Sequence, residues 1–442
     1  MSAQLEKTLG PVLIWGLGVG YVISGMYFGW NLGLPEGGPY GLLAATLAVT
    51  VLYITFVLGY AELSCALPRA GGVFVYTSRA FGPNLGFLGG VAQLVEYVLA
   101  PPAIAFAIGS YINQAVPAVP IWVTAVVAYI VFTLVNINGV KLSAAFELVL
   151  TVLAVIELCV FGAVVLPHFS WDMFSLDALP HGWGGVFAAL PFAMWFYLAI
   201  EGIANIAEEA KHPQRDLPRG FLLAMATLVV LTAITLFGAV GAGGWHSIVY
   251  VPGKADPSDS PLPLAIGHVV SKNSPWFLLL TGVGLVGLVA SFHGILIAAS
   301  RAILELGRAR FLPAQLGEID AKRGTPVVAL IANMCVGLVA LATGQTQQII
   351  YLSVFGALTL YILSSLSVLR LRKTEPDLER PYRTPLYPWS PLIAILLSLT
   401  CMGAMVRSYP WLGLLYAGIV TVAWLAFVMF VPAERRSSFR SG

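Results

Sequence analysis

Four carboxylates stand inside long apolar stretches of the chain: Glu96, Glu147, Glu157 and Glu201. An ionisable side chain in hydrocarbon costs about 2.5–3.5 kcal/mol on insertion scales, so each is a functional candidate. Glu96 precedes Pro101 and Pro102, whose missing amides and ring bulk free the carbonyls of Tyr97 and Val98. A carboxylate beside unpaired carbonyls suits a cation, so Glu96 reads either as the contact for a ligand ammonium or as half of a pair with a buried donor. Glu201 follows Pro191 and the aromatic run Trp195-Phe196-Tyr197, with Ala199 between them. There it can bond ligand, or the amides and hydroxyls that hold two segments together. Glu147 and Glu157 are ten residues apart, on broadly similar faces of one helix. Glu147 is placed to pair with Lys141 or to form part of a gate. His293 is the sole histidine inside an apolar stretch and reads as a packing residue. Glu208 and Glu209 precede Lys211 and read as partners in loop salt bridges.

Other chemistries fit less well. Cys65, Cys159, Cys335 and Cys401 show no CxxC spacing and read as buried small hydrophobes rather than metal or redox ligands. His168, His181, His212, His246 and His268 fall in loops or at the ends of apolar stretches, leaving no histidine pair for haem. The run Gly18-x-Gly20 meets Ile23 where a nucleotide fingerprint needs a third glycine, and no strand precedes it. No metal, cofactor or covalent catalysis is expected.

The elements that must position these groups are membrane helices. Of 442 residues, 58% are hydrophobic and 10% charged, against about 25% charged in soluble domains. A formal charge of +2 gives no basic footprint for nucleic acid. A spanning helix needs roughly 20 mainly apolar residues. Twelve such stretches are expected, near 11–34, 40–66, 84–114, 120–138, 142–166, 183–206, 218–242, 275–304, 325–343, 348–370, 389–408 and 410–431. Lys and Arg in short loops are retained on the cytoplasmic side. All basic residues except Lys254, Lys272 and Arg407 fall on one side of this arrangement, which puts both termini in the cytoplasm and requires an even number of spans.

Two spans look interrupted. The first carries Gly16-Leu17-Gly18-Val19-Gly20 and then Ser24-Gly25, more glycine than a lipid-facing helix needs; a glycine-faced packing surface is the alternative. The sixth has Pro191, aromatics, then Glu201-Gly202. Interrupted helices at corresponding places in two halves point to a transporter's central site.

At these residues the chain resembles the amino acid, polyamine and organocation transporter superfamily. The resemblance is carried by Val22-Ile23-Ser24-Gly25-Met26-Tyr27-Phe28-Gly29, by Tyr60-Ala61-Glu62-Leu63 through Gly72 and Tyr76, and by Ile200-Glu201-Gly202 with Ala207 to Pro213. Ser300-Arg301, Gly307-Arg308 and Glu379 to Pro385 extend it. Within the superfamily the chain is most similar to the ethanolamine permeases, on the wording from Gly18 to Asn31 and the stretch Ser291-Phe292-His293-Gly294.

The resemblance implies an all-α polytopic fold of twelve helices, a leucine-transporter-type 5+5 inverted repeat. The N-terminus is 1–10, the first repeat 11–166, the second 183–370, two appended helices 389–431 and the C-terminus 432–442. It implies substrate contacts at Ser24, Gly25, Met26, Tyr27, Glu96, Tyr97, Trp195, Phe196, Tyr197, Ala199, Glu201, Phe292 and His293. Coupling or gating falls to Lys141, Glu147, Glu157 and Ser291. Proton-coupled relatives often carry a lysine in a Thr-x-x-Lys setting on helix 5; here the run is Thr151-Val152-Leu153-Ala154, so the resemblance leaves Glu157 one turn later or His293 as substitutes for that lysine, or Ser291 near a helix 1 carbonyl as support for sodium instead.

The expected function is import of ethanolamine or a similar small amine cation across the cytoplasmic (inner) membrane by alternating access. Proton, sodium or membrane potential could drive it; a potential of 100 mV alone is worth about 2.3 kcal/mol per charge, or roughly 50-fold accumulation. The rivals are an amino acid permease of the same superfamily, a membrane redox subunit and a nutrient sensor.

Overall fold

The computed structural model describes residues 7–138, 140–253, 255–271 and 274–438, without the side chains at 115, 140–143, 276, 283, 435, 437 and 438. Lys141 belongs to the last group, so its expected role at the gate lies outside the described side chains. Regular structure among the described residues is helical, joined by two isolated β-bridges.

Helices occupy every stretch expected to span. We number them α1 (Pro11–Tyr27), α2 (Leu34–Ala66), α3 (Pro83–Ala115), α4 (Ile121–Ile137), α5 (Val140–Val165), α6 (Gly184–Met194), α7 (Pro213–Gly243), α8 (Pro275–Arg308), α9 (Val327–Leu341), α10 (Thr346–Thr374), α11 (Trp389–Ser408) and α12 (Pro410–Phe430). Eight of these are long and apolar enough to cross a bilayer; α1, α4, α6 and α9 are shorter apolar helices. The chain is a multi-pass membrane protein. α1 and α6 are short for a physical reason: each stops at an interruption and resumes as a 3-10 helix, Trp30–Gly33 and Ile200–Glu209 respectively.

Burial sorts the helices into inner and outer. In the most apolar window of α3, 78% of residues are buried inside the protein, against 17% in α12. α12 turns Leu414, Val422 and Phe430 outward, which only a lipid surround tolerates on this scale. Two of the four cysteines depart from the expected burial. Cys65 and Cys401 are buried, but Cys159 on α5 and Cys335 on α9 face outward, where a thiol is apolar enough to meet lipid. α3 and α8, with 33 and 34 residues, reach about 50 Å at 1.5 Å per residue, so they are tilted or project beyond the hydrocarbon core.

Candidate functional site

The two interruptions meet. α1 is regular to Val22, makes one further turn over Ser24–Tyr27, then runs extended at Phe28 (φ −161°) and left-handed at Gly29 (φ 88°). α6 ends at Met194, and the chain turns through 195–199 with Ala199 in the left-handed region (φ 76°) before the 3-10 helix begins. Glycine is required where they touch: a Cβ on Gly25 would stand 2.1 Å from the Trp195 carbonyl oxygen. Aromatic packing locks the crossing, with Phe28 edge-on to Trp195 (centroids 5.5 Å) and Trp30 stacked on Phe196 (5.5 Å, 20°).

Four of the amides around the α1 interruption are committed. Ile23 donates to Val19 O (2.9 Å), Met26 to Ile23 O (3.0 Å), Phe28 to Ser24 O (3.2 Å) and Gly29 to Asn31 Oδ1 (3.1 Å). Ser24 Oγ lies 2.8 Å from Ser291 Oγ, and Ser291 donates to Tyr21 O (2.6 Å), tying α1 to α8.

Beside the α6 interruption, two carboxyl groups face each other. Glu96 from α3 and Glu201 from the 3-10 helix are both fully buried and interact directly, and Glu96 also lies near the Ala199 amide. Both Glu96 oxygens and Glu201 Oε1 lack a donor at hydrogen-bonding geometry. Tyr361 of α10 stands 3.3 Å from Glu201 Oε2 and donates to Tyr53 Oη (2.9 Å), which in turn reaches Met194 O (3.3 Å). Tyr60 and Tyr97 complete a tyrosine surround within electrostatic reach of both acids. α10 gets close because residue 356 is glycine: a Cβ there would be 2.5 Å from Ala92 O. Ser353, one turn earlier, sits 3.4 Å from Glu96 O. Gln93 Nε2 donates to Asn205 Oδ1 (2.8 Å), and Tyr197 Oη pairs with Thr50 Oγ1 (2.8 Å). The buried Trp195 indole N–H has no acceptor.

The remaining candidates gather along α5 and α8. Glu157 Oε2 accepts a hydrogen bond from Tyr27 (2.6 Å), whose hydroxyl also lies 3.1 Å from Ala154 O. Glu147 pairs with His293 (Oε2 to Nδ1, 2.7 Å), both fully buried. Phe292 packs edge-on to Tyr129 of α4 (4.9 Å) and lies near Phe132. The structure therefore brings Gly25, Glu96, Tyr97, Trp195, Phe196, Tyr197, Ala199 and Glu201 to the crossing. It turns Tyr27 toward α5, joins Ser24 to Ser291 on α8, aims Met26 at Thr232 of α7 (Sδ 3.7 Å), and sets Phe292 and His293 against α4 and α5.

Tyr53, Gln93, Asn205, Ser353 and Tyr361 escaped the reading of the sequence, although each is a hydrogen-bonding side chain in an apolar stretch. Below the crossing, Glu209 and Arg301 form a buried pair (3.1 Å), while Glu208 joins Arg308 (3.1 Å). Glu209 is thus no solvated loop acid: burial raises its carboxyl above the usual range, against the pull of Arg301.

Discontinuous helices crossing beside buried, under-coordinated carboxyls are features of a membrane transporter. Residues 11–438 match the family described as amino acid permease, and the chain belongs to that family. It is 29% identical to an uncharacterised transporter of Rhizobium meliloti over 91% of this chain and 86% of the relative. It is 26% identical to the branched-chain amino acid permease BcaP of Bacillus subtilis (90% and 87%) and 25% identical to a methylthioribose transporter of the same species (97% and 92%).

Proposed function

We propose that this permease imports ethanolamine or a closely similar small amine cation by alternating access. It would do so across the cytoplasmic membrane, with both termini inside and twelve helices in a 5+5 repeat plus two. The observation that carries the reading is the Glu96–Glu201 pair. Two carboxyls held together in a low-dielectric interior repel when both are ionised, and either a shared proton or a positive charge between them relieves this. Three of their four oxygens have no donor, and the named electrostatic partners of both include no basic side chain. An ammonium with three donors fits that vacancy, and the tyrosine and tryptophan faces around it favour a cation.

Part of the α1 backbone at the interruption is closed to a ligand carboxylate. An α-amino acid needs free N–H groups for its acid, and those of Ile23, Met26, Phe28 and Gly29 are spent. The second reading, an amino acid permease, is favoured by the names of relatives such as the branched-chain permease.

Competition in proteoliposomes separates the two. Unlabelled ethanolamine should displace labelled ethanolamine at concentrations where alanine, leucine and arginine do not. Displacement by an amino acid at lower concentration than by ethanolamine would overturn the amine assignment.

A further inference from the structure

One turn below the Glu96–Glu201 pair, the same two helices bring two amide side chains together. Gln93 stands three residues before Glu96 on α3, and Asn205 four residues after Glu201 on the 3-10 helix, both buried. Gln93 Nε2 donates to Asn205 Oδ1 (2.8 Å), which leaves Gln93 Oε1 and Asn205 Nδ2 without partners among the described residues. Rotating both amides by half a turn reverses the bond and still leaves one acceptor and one donor, so the chemistry of the pair does not depend on how the amides are oriented. Buried and unpaired, both atoms are costly. A hydroxyl satisfies them at once, accepting from the N–H and donating to the carbonyl; an ammonium has no acceptor and a carboxylate no donor.

The amides share their surroundings with the acids. Tyr97, one turn above Gln93 on α3, has its hydroxyl near both Glu201 and Gln93. From below, the pair is closed by the segment between α2 and α3. Gly72 there has φ 51°, and a Cβ on it would stand 3.0 Å from Gln93 Nε2, 3.3 Å from Asn205 Oδ1 and 2.9 Å from Tyr60 Oη. The Ala70 amide of the same segment donates to Glu208 (3.3 Å) and pins it in place. The side left for a ligand is that of the acids.

We propose that Gln93 and Asn205 form a hydroxyl subsite, through which the permease selects an amine carrying a hydroxyl two carbons away over the bare alkylamine. The proposal deepens the amine reading above and rests on it for its first substrate. The ammonium sits at Glu96 and Glu201 while the hydroxyl accepts from one amide and donates to the other. The spacing suits a two-carbon chain. The amides are offset from the acids by about 4.5 Å along α3 and about 8 Å along the 3-10 helix, and a hydrogen bond of about 2.8 Å at each end of the ligand covers much of that offset. A ligand lacking the hydroxyl leaves both amide atoms unpaired in the interior, the situation in which a hydrogen-bonding site discriminates most strongly.

The test uses the full-length protein in proteoliposomes at equal pH and zero potential, with counterflow of labelled ethanolamine inhibited by unlabelled ethanolamine or ethylamine. The readout is the ratio of the two half-inhibitory concentrations, which is internal to each preparation and insensitive to the fraction of misfolded protein. Wild type should need at least about tenfold more ethylamine. In Gln93→Met/Asn205→Leu, where apolar side chains of similar size replace both amides, the ratio should fall to about threefold or less. Asn205→Leu alone should lower it as well and serves if the double variant does not fold. A wild-type ratio below tenfold would overturn the subsite, because water then serves the amides as well as the ligand does. So would a ratio that stays at tenfold in the variants. Without ethanolamine counterflow the amine assignment fails by itself, and the same ratio is read with labelled serine against serine and alanine; absence of both counterflows overturns the subsite too.

Discussion

The charge of Glu96 offers the sharpest perturbation, because Glu96→Gln removes it while keeping the shape. Glu96 is fully buried, and its neighbours at the carboxyl end are Glu201, the Ala199 amide and tyrosines. No salt bridge to Glu96 is broken among the described residues, and the repulsion from Glu201 is relieved, so abundance and melting temperature should hold or rise. Binding is affected differently. Breaking a buried, hydrogen-bonded ion pair by removing one partner costs about 3–5 kcal/mol. Glu201 remains as a second carboxylate, so the lower end applies, about 3 kcal/mol or roughly a 150-fold rise in apparent Kd. The assay is scintillation-proximity binding of labelled ethanolamine to purified protein, with thermal unfolding on the same preparation. Unchanged affinity at unchanged stability would remove Glu96 from the site and leave the acid pair a structural feature of α6.

Other perturbations test the crossing and its supports. Gly25→Ala forces a methyl against the Trp195 carbonyl, a backbone atom that cannot swing aside; about 1–3 kcal/mol of overpacking should abolish uptake while the protein still reaches the membrane, and normal uptake would show that the two interruptions need not meet. Tyr361→Phe removes one hydroxyl from Glu201 and Tyr53, and should weaken amine binding by about 1–2 kcal/mol, read as a fivefold to thirtyfold rise in Kd; no change would take α10 out of the site. Glu209→Gln strands the Arg301 guanidinium in the interior and should lower the melting temperature in detergent more than Glu208→Gln, whose partner Arg308 is partly exposed; equal effects would refute the buried-pair argument.

The sequence made the helices and both interruptions legible because membrane insertion leaves a strong one-dimensional signal: apolar length, and glycine or proline where backbone must unwind. It also placed Glu96, Trp195 and Glu201 near one another, through the expectation that α1 and α6 cross. Partners between distant helices were beyond it. Proximity in sequence offers Glu147 only Lys141, whose side chain lies outside the described ones; His293, 146 residues away, reaches Glu147 because α5 and α8 pack side by side. The tyrosine surround was missed for a similar reason. Tyr53 and Tyr361 look like ordinary interfacial aromatics in sequence, and only the approach of α10 to α3 at Gly356 turns their hydroxyls toward Glu201.

The two buried acid pairs differ in their partners and in the helices that hold them. Glu96 and Glu201, set by α3 and the 3-10 helix after α6, form a like-charged pair that an incoming cation completes. Glu147 and His293, set by α5 and α8 against Gly20 of α1, form a hydrogen-bonded carboxyl–imidazole pair. A carrier that exchanges one cation for another needs both to compete for the same carboxylates. A carrier that moves two cations together needs separate sites linked by one moving element. α1 touches both pairs: its interruption presses on Trp195 beside the first, and its glycine run presses on the second. A ligand at the first pair and any rearrangement at the second would therefore act on the same helix.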